Sequence, residues 1–245
     1  MSNEQRAQRP ALRLAAALLL GGQIAYIAIT QFHAGGHANE HHDIFETYAH
    51  DQVWGAVHLG QFGAMAVLLG GLIALAFALD VKARSVRWFS RFGAVAATVA
   101  LALHGVLQAV DGVALKQAVS AWASAPEAEQ AARFAVAESI RWLEWGTRSY
   151  QDYAFGMTLL SFAAALLLGR QLPRALGLLF GLSGLAYLAQ GWIAGSEGFS
   201  AAQSVAIVLG WLLSLASMLW LAAAAWRGEL PRPSTAVGLR APEIK

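Results

Sequence analysis

The chain has 245 residues, no cysteine, 57% hydrophobic residues and only 13% charged ones, with a mean hydropathy of +0.48. Soluble domains carry about 25% charged residues, so this composition excludes a disordered chain, a nucleic-acid module and a disulfide scaffold, and the lack of thiolates excludes zinc ribbons and cysteine-ligated iron–sulfur clusters. The pI of 9.2 comes from a net charge of only +2, so where the basic residues lie says more than how many there are.

Six apolar runs approach the roughly 20 residues that a membrane-spanning helix needs: Leu12–Gln31, Val53–Leu79, Phe92–Leu115, Tyr153–Leu168, Ala175–Ala194 and Ser204–Trp226. They are continuous, rich in Ala and Leu, and lack the period-two alternation of barrel strands. The expected fold is an all-α membrane protein, a six-transmembrane-helix bundle occupying residues 1–227 as one domain. Residues 228–245, with Pro231 and Pro233, read as a disordered cytoplasmic tail. The start Arg6–Arg13 followed by Leu14–Thr30 has the layout of a signal peptide, but no A-x-A site follows at the right distance. The first run is therefore read as an uncleaved helix.

Lys and Arg set the orientation. All but Lys116, Arg133, Arg141 and Arg148 fall in the termini or in the second and fourth connections. Both termini are expected to be cytoplasmic, which places the chain as a multi-pass protein of a bacterial inner membrane. The long connection between the third and fourth spans should carry structure of its own. Ser124-Ala-Pro-Glu127 has capping-box spacing. The helix it opens can run through Trp142 and Trp145 into the fourth span, and these tryptophans on one side fit an interfacial stretch on the outer leaflet.

Six of the seven histidines lie between His33 and His58, and the seventh is His104. Imidazole and carboxylate together suit divalent transition metals. His37-x-x-x-His41-His42 resembles one histidine box of membrane di-iron oxygenases, but such enzymes need several boxes and a second is missing. Asp43-x-x-Glu46 reads as a helix start, which places Glu46 and His50 on one face. The candidate metal ligands are thus His37, His41, His42, Glu46 and His50. The alternative is a His-rich polar loop facing water.

Polar residues inside the runs share helical faces. Trp54, His58, Gln61 and Met65 fall on one. His104, Gln108 and Asp111 fall on another, as do Glu144, Arg148 and Gln151. Tyr187 and Gln190 share a face of the fifth run. All lie in the outer halves of their spans. Polar groups in a bilayer face the bundle interior or a wet cavity, so His58, Gln61, His104, Gln108, Asp111, Glu144 and Gln190 are expected to line an outward-facing pocket for a small ligand or ion. Interhelical hydrogen bonding explains the same faces equally well. At ~1.5 Å per residue, His58 lies about 6 Å deep and Asp111 about 7.5 Å, so these two can pair. His58 and His104 differ by about 12 Å in depth, too far apart to clamp one haem. A His104/Met65 pair leaves haem geometrically possible.

At Trp54-x-Ala-Val-His-Leu-Gly-Gln-Phe62 and Arg141-Trp-Leu-Glu-Trp-Gly146 the chain resembles uncharacterised bacterial six-span integral membrane proteins. The resemblance implies a six-helix membrane fold and assigns no chemistry. No nucleophile–base spacing stands out, so enzymatic activity is not read from the sequence. Three functions compete: a binding or transport protein using the pocket, a metal-binding and conceivably redox protein using the loop histidines, and a structural or assembly subunit. The last would dock a membrane-protein partner or a second copy through the helix after Pro126. The expected surroundings are the lipid bilayer, with no nucleic acid.

Overall fold

The structure, a computed structural model, describes residues 3–37, 39–79, 83–169 and 172–227. Lys82, Arg170 and the tail 228–245 lie outside the described residues, and with them the expectation of a disordered tail. Among the described residues all regular structure is helical. The elements are α1 (Asn3–Thr30), α2 (His41–His50), α3 (Trp54–Ala78), α4 (Arg84–Ala109), a π-helical segment (Val110–Leu115), α5 (Lys116–Ala123), α6 (Glu127–Leu168), α7 (Arg174–Glu197) and α8 (Ala201–Arg227).

Six helical runs are long and apolar enough to cross a membrane: α1 from Arg9, α3, the continuous run Arg84–Ala123, α6, α7 and α8. Each contains most of one apolar run expected from the sequence. The third and fourth are far longer than expected, at 40 and 42 residues. At ~1.5 Å per residue each spans about 60 Å, roughly twice the hydrocarbon thickness. The helix opened after Pro126 runs through Trp142 and Trp145 into the fourth span, as one of the sequence readings has it, and is not a separate interfacial helix. These residues are the first half of α6, which runs unbroken into its apolar end.

Neither expected capping box forms. The Ser124 hydroxyl bonds back to the Ser120 carbonyl at 2.8 Å, and Pro126 occupies the N-cap of α6 with no side-chain cap. α2 starts at His41, two residues before Asp43, again without a side-chain cap. Its helicity comes from burial: Ile44, Phe45 and Tyr48 form its inner face. They pack with Trp54, Leu115, Val119, Trp122 and Ala137 into a small apolar cluster separate from the main core. Lys116 secures the other end of α2, donating to the carbonyls of Tyr48, Ala49 (3.0 Å) and Asp51 (2.8 Å). A cation at a helix C-terminus satisfies the last carbonyls and complements the helix dipole.

The spanning helices close into a ring. α1 packs on α3 and α8, α3 on α4, α4 on α6, α6 on α7, and α7 on α8. Glycine allows the closest crossings. A Cβ on Gly22 would lie 2.5 Å from the Leu68 backbone nitrogen, and one on Gly71 would lie 2.8 Å from that of Leu19, so α1 and α3 meet backbone to backbone. Arg13 donates to the Ala225 carbonyl at 3.3 Å, joining α1 and α8 near the chain termini. The opposite end of the ring carries α2, the loop after α1 and the α7–α8 turn. There Asn39 bridges to Glu197 and Phe199.

Candidate functional site

A cavity of about 310 Å³ opens inside the ring at the α2 end. Tyr26, Leu107, Ile207 and Trp211 give it apolar walls. Thr30, His33, Tyr48, Gln61, Gln108, Asp111, Arg141, Glu144 and Arg148 supply the polar ones. Four of these side chains, Asp111, Arg141, Glu144 and Arg148, are acids or bases, from only two helical runs.

α6 places three of the charges. Arg141, Glu144, Arg148 and Asp152 recur at i, i+3, i+7 and i+11 and share one face. Arg141 Nη1 donates to Glu144 Oε2 at 2.6 Å, with both side chains almost fully buried. The same guanidinium lies over the rings of Tyr48 and Phe199, at 5.5 and 4.6 Å from their centroids. It thereby ties α2 and the α7–α8 turn to α6. One helical turn deeper, Arg148 Nε donates to Asp152 Oδ2 at 2.9 Å.

The fourth charge, Asp111, stands in the π-helical segment. π turns interrupt the regular helix and often accompany functional sites. Here the Trp54 indole N–H is shared between the carbonyls of Asp111 (3.3 Å) and Gly112 (3.1 Å). Gly112 is where α3 comes closest: a Cβ there would lie 2.8 Å from the His58 Cβ. His58 Nε2 thus reaches 3.0 Å from Asp111 Oδ2. His33, from the loop after α1, brings its Nε2 to 3.9 Å from the same oxygen. Burial works to lower the His33 pKa, but the Asp111 carboxylate, the Ala34 carbonyl and the Glu144 charge outweigh it, and the pKa is raised. Burial also raises the Tyr48 pKa, against the opposing Arg141 charge.

The expected pocket residues divide. Gln61, Gln108, Asp111 and Glu144 line the cavity. His58 sits behind Asp111 and faces a second, lateral groove between α3 and the π segment, lined also by Leu59, Phe62, Gln108 and Val113. Gln61 bonds to Thr30 at 3.1 Å rather than to Gln108. The Gln108 amide instead lies 3.3 Å from His104 Nε2. His104 is fully buried, set between the rings of Tyr26 and Phe62. Gln190 is buried away from the cavity, against the close approach of α8 at Gly210.

The five residues expected to hold a metal do not converge. His41 pairs with Glu138 at 2.9 Å and stacks on Phe45. His42 packs on Trp122 and Phe134. His50 donates to the Glu46 carbonyl, and this pair lines only a shallow surface recess. His37 lies in the exposed loop. Among the described residues, the group of ligating side chains whose donor atoms all lie within 4.8 Å of one another is His33, His58 and Asp111.

Sequence reasoning missed His33, Tyr48 and Arg141 as site residues. For Arg141 a signal existed: the alternating charges along one face of α6. For His33 and Tyr48 none did, because both reach the site through long-range packing. No protein family matches this chain, and neither does any curated protein or solved structure.

Proposed function

We propose that this multi-pass protein sits in a bacterial inner membrane with both termini cytoplasmic, and that its cavity faces outward and binds a small cationic or neutral polar ligand. The supporting observation is the convergence of Asp111, Arg141, Glu144 and Arg148 on one cavity inside the ring. Charges in a spanning bundle are costly and are retained where they serve a cavity. Elsewhere in the bundle, plain interhelical bonds such as Ser149 to the Gly191 carbonyl (2.7 Å) and Ser214 to Gln23 (3.3 Å) hold helices together without charge.

The sign of the charge selects the ligand. Arg141 and Arg148 each have a carboxylate partner on their own helix, which leaves Asp111 as the carboxylate without a guanidinium partner, beside His33 and His58. That balance favours a cation over an anion. The volume is at the small end of ligand pockets, which run from about 300 Å³. The orientation rests on Arg9, Arg13, Arg84, Arg87, Arg91, Arg174 and Arg227, all at the end opposite the cavity.

The chain has no native cysteine, so single cysteines test this directly. Thr30→Cys and Ile207→Cys on the cavity wall should react with a charged, membrane-impermeant thiol reagent added outside intact cells. Val99→Cys on the lipid-facing side of α4 should not. Labelling of the cavity cysteines only after the cytoplasmic side is exposed would overturn the orientation. No labelling from either side would overturn the pocket.

A further inference from the structure

We propose that His33, His58 and Asp111 form a binding site for one divalent transition-metal ion, zinc or an ion of similar chemistry, at the wall of the cavity. The proposal rests on the reading of the cavity as a binding pocket, because two of the three ligands, His33 and Asp111, line it.

His33 Nε2 and His58 Nε2 lie 3.9 and 3.0 Å from Asp111 Oδ2. Metal–ligand bonds of about 2.0–2.2 Å in a tetrahedral shell place neighbouring donors roughly 3.3–3.6 Å apart. The observed separations bracket that value, so small side-chain movements accommodate an ion.

Each ring is also held in the tautomer that a metal requires. His58 Nδ1 donates to the Trp54 carbonyl at 2.7 Å. His33 Nδ1 donates to the Ala34 carbonyl at 3.0 Å. With the proton on Nδ1, each neutral imidazole points an Nε2 lone pair at the carboxylate. Ligating histidines are oriented in this way by their outer hydrogen bonds. The Trp54 indole, bonded to the Asp111 and Gly112 carbonyls, holds the carboxylate's own backbone in the same fashion.

With both rings neutral and no cation present, the arrangement is unfavourable. The lone pair of His58 Nε2 and the Asp111 carboxylate face each other in a buried place. Although 3.0 Å apart, the two are not aligned as a hydrogen bond, and both His58 Nε2 and Asp111 Oδ1 are buried with no hydrogen-bond partner. An ion equidistant from the three donors resolves this, because coordination needs no linear N–H···O path. Two imidazoles and one carboxylate suit zinc, iron, nickel and copper rather than magnesium or calcium. Three protein ligands with an open fourth position is the pattern of zinc sites that bind an exchangeable water or oxygen donor. Two of the three donors, His33 and Asp111, line the cavity together with Gln61, Gln108, Arg141 and Glu144, so an exchangeable ligand would reach the ion from there.

The three donors come from the loop after α1, from α3 and from the π segment. The site therefore exists only in the folded ring, and bound metal should stabilise that fold. The test uses the full chain purified in detergent and stripped of metal. Titration with Zn²⁺, followed by elemental analysis, should give one tightly held equivalent and a rise in melting temperature. Co²⁺ in its place should give the visible absorption of a low-symmetry, four-coordinate ion. His33→Gln, His58→Gln and Asp111→Asn should each lose the tight equivalent. His42→Gln and His50→Gln should keep it, and Trp54→Phe should weaken it by roughly 10–100-fold, as loss of an outer hydrogen bond does.

Failure of the wild-type chain to hold zinc overturns the proposal without relying on any variant. Loss of zinc in His42→Gln or His50→Gln with retention in His33→Gln would move the site to the loop histidines and equally overturn it. Labelling of Thr30→Cys keeps the two readings apart: a reactive cysteine with no zinc bound sinks the metal site and leaves the pocket. Zinc bound with the cysteine inert leaves the ion but refutes an open position on an accessible cavity.

Discussion

The Arg141–Glu144 pair allows a calculation that needs no ligand. Both side chains are only 2–3% exposed, with 2.6 Å between Nη1 and Oε2. Arg141→Met strands the Glu144 carboxylate in a buried place, and removing one partner of such a pair costs about 3–5 kcal/mol. Replacing both, as Arg141→Met with Glu144→Leu, removes the stranded charge and is often close to neutral. Here the double variant does not recover fully, because Arg141 also lies over Tyr48 and Phe199. Two such contacts at about 0.5–2 kcal/mol each set a residual loss of about 1–4 kcal/mol. Thermal unfolding in detergent should therefore place Arg141→Met lowest, on the order of 10 °C below the parent at a few degrees per kcal/mol. The double variant should fall between them. If Arg141→Met melts with the parent, or if the two single losses simply add in the double variant, the pair is solvated and the buried-charge reasoning fails.

Gly112→Ala places a Cβ 2.8 Å from the His58 Cβ. It should cost about 1–3 kcal/mol as overpacking and weaken zinc retention in the titration, whereas Gly105→Ala, with only Phe62 at 3.5 Å, should be silent in both. Lys116→Met removes the bonds at the end of α2. A local loss near 1.4 kcal/mol should speed amide hydrogen exchange across His41–His50 about tenfold, with α7 and α8 unchanged. Gly22→Leu forces apart the α1–α3 backbones, which approach to 2.5 Å of an added Cβ. It should impair folding far more than Gly21→Leu on the neighbouring open face, read as the yield of monodisperse protein.

Spans and their order were legible in the sequence because the bilayer imposes one strong requirement, a long apolar helix. That requirement says nothing about where a helix stops once it leaves the lipid. Hydropathy therefore missed the extension of the third helix, and only the helix start after Pro126 pointed to that of the fourth; their outer parts are held by α2 and by the Ile44, Phe45 and Trp122 cluster. The capping-box readings at Ser124 and Asp43 failed for a related reason. A short polar signature has only local bonds to offer, and the Ser124 hydroxyl found one at Ser120, while burial fixed the start of α2.

Equal depth put His58 opposite Asp111, and the structure has them 3.0 Å apart. Depth alone could not supply the third member. His33 lies 78 positions from Asp111 in sequence, beyond any helical period, and only the ring brings the loop after α1 beside the π segment. Counting Arg141 and Arg148 among charges that set orientation hid their other property. A positive-inside count asks on which side a charge lies, not whether it is buried against a carboxylate. Read instead as a face, Arg141, Glu144, Arg148 and Asp152 alternate in sign along one stripe of a helix entering the membrane. Surface charge patterns also alternate in this way, but water is the usual neighbour of such a stripe. Inside the ring, Arg141, Glu144 and Arg148 of this stripe share a cavity with Asp111 and His33, and each charge on it must be answered by protein or ligand. The carboxylates of α6 answer its own guanidiniums, which leaves Asp111 to be answered from elsewhere.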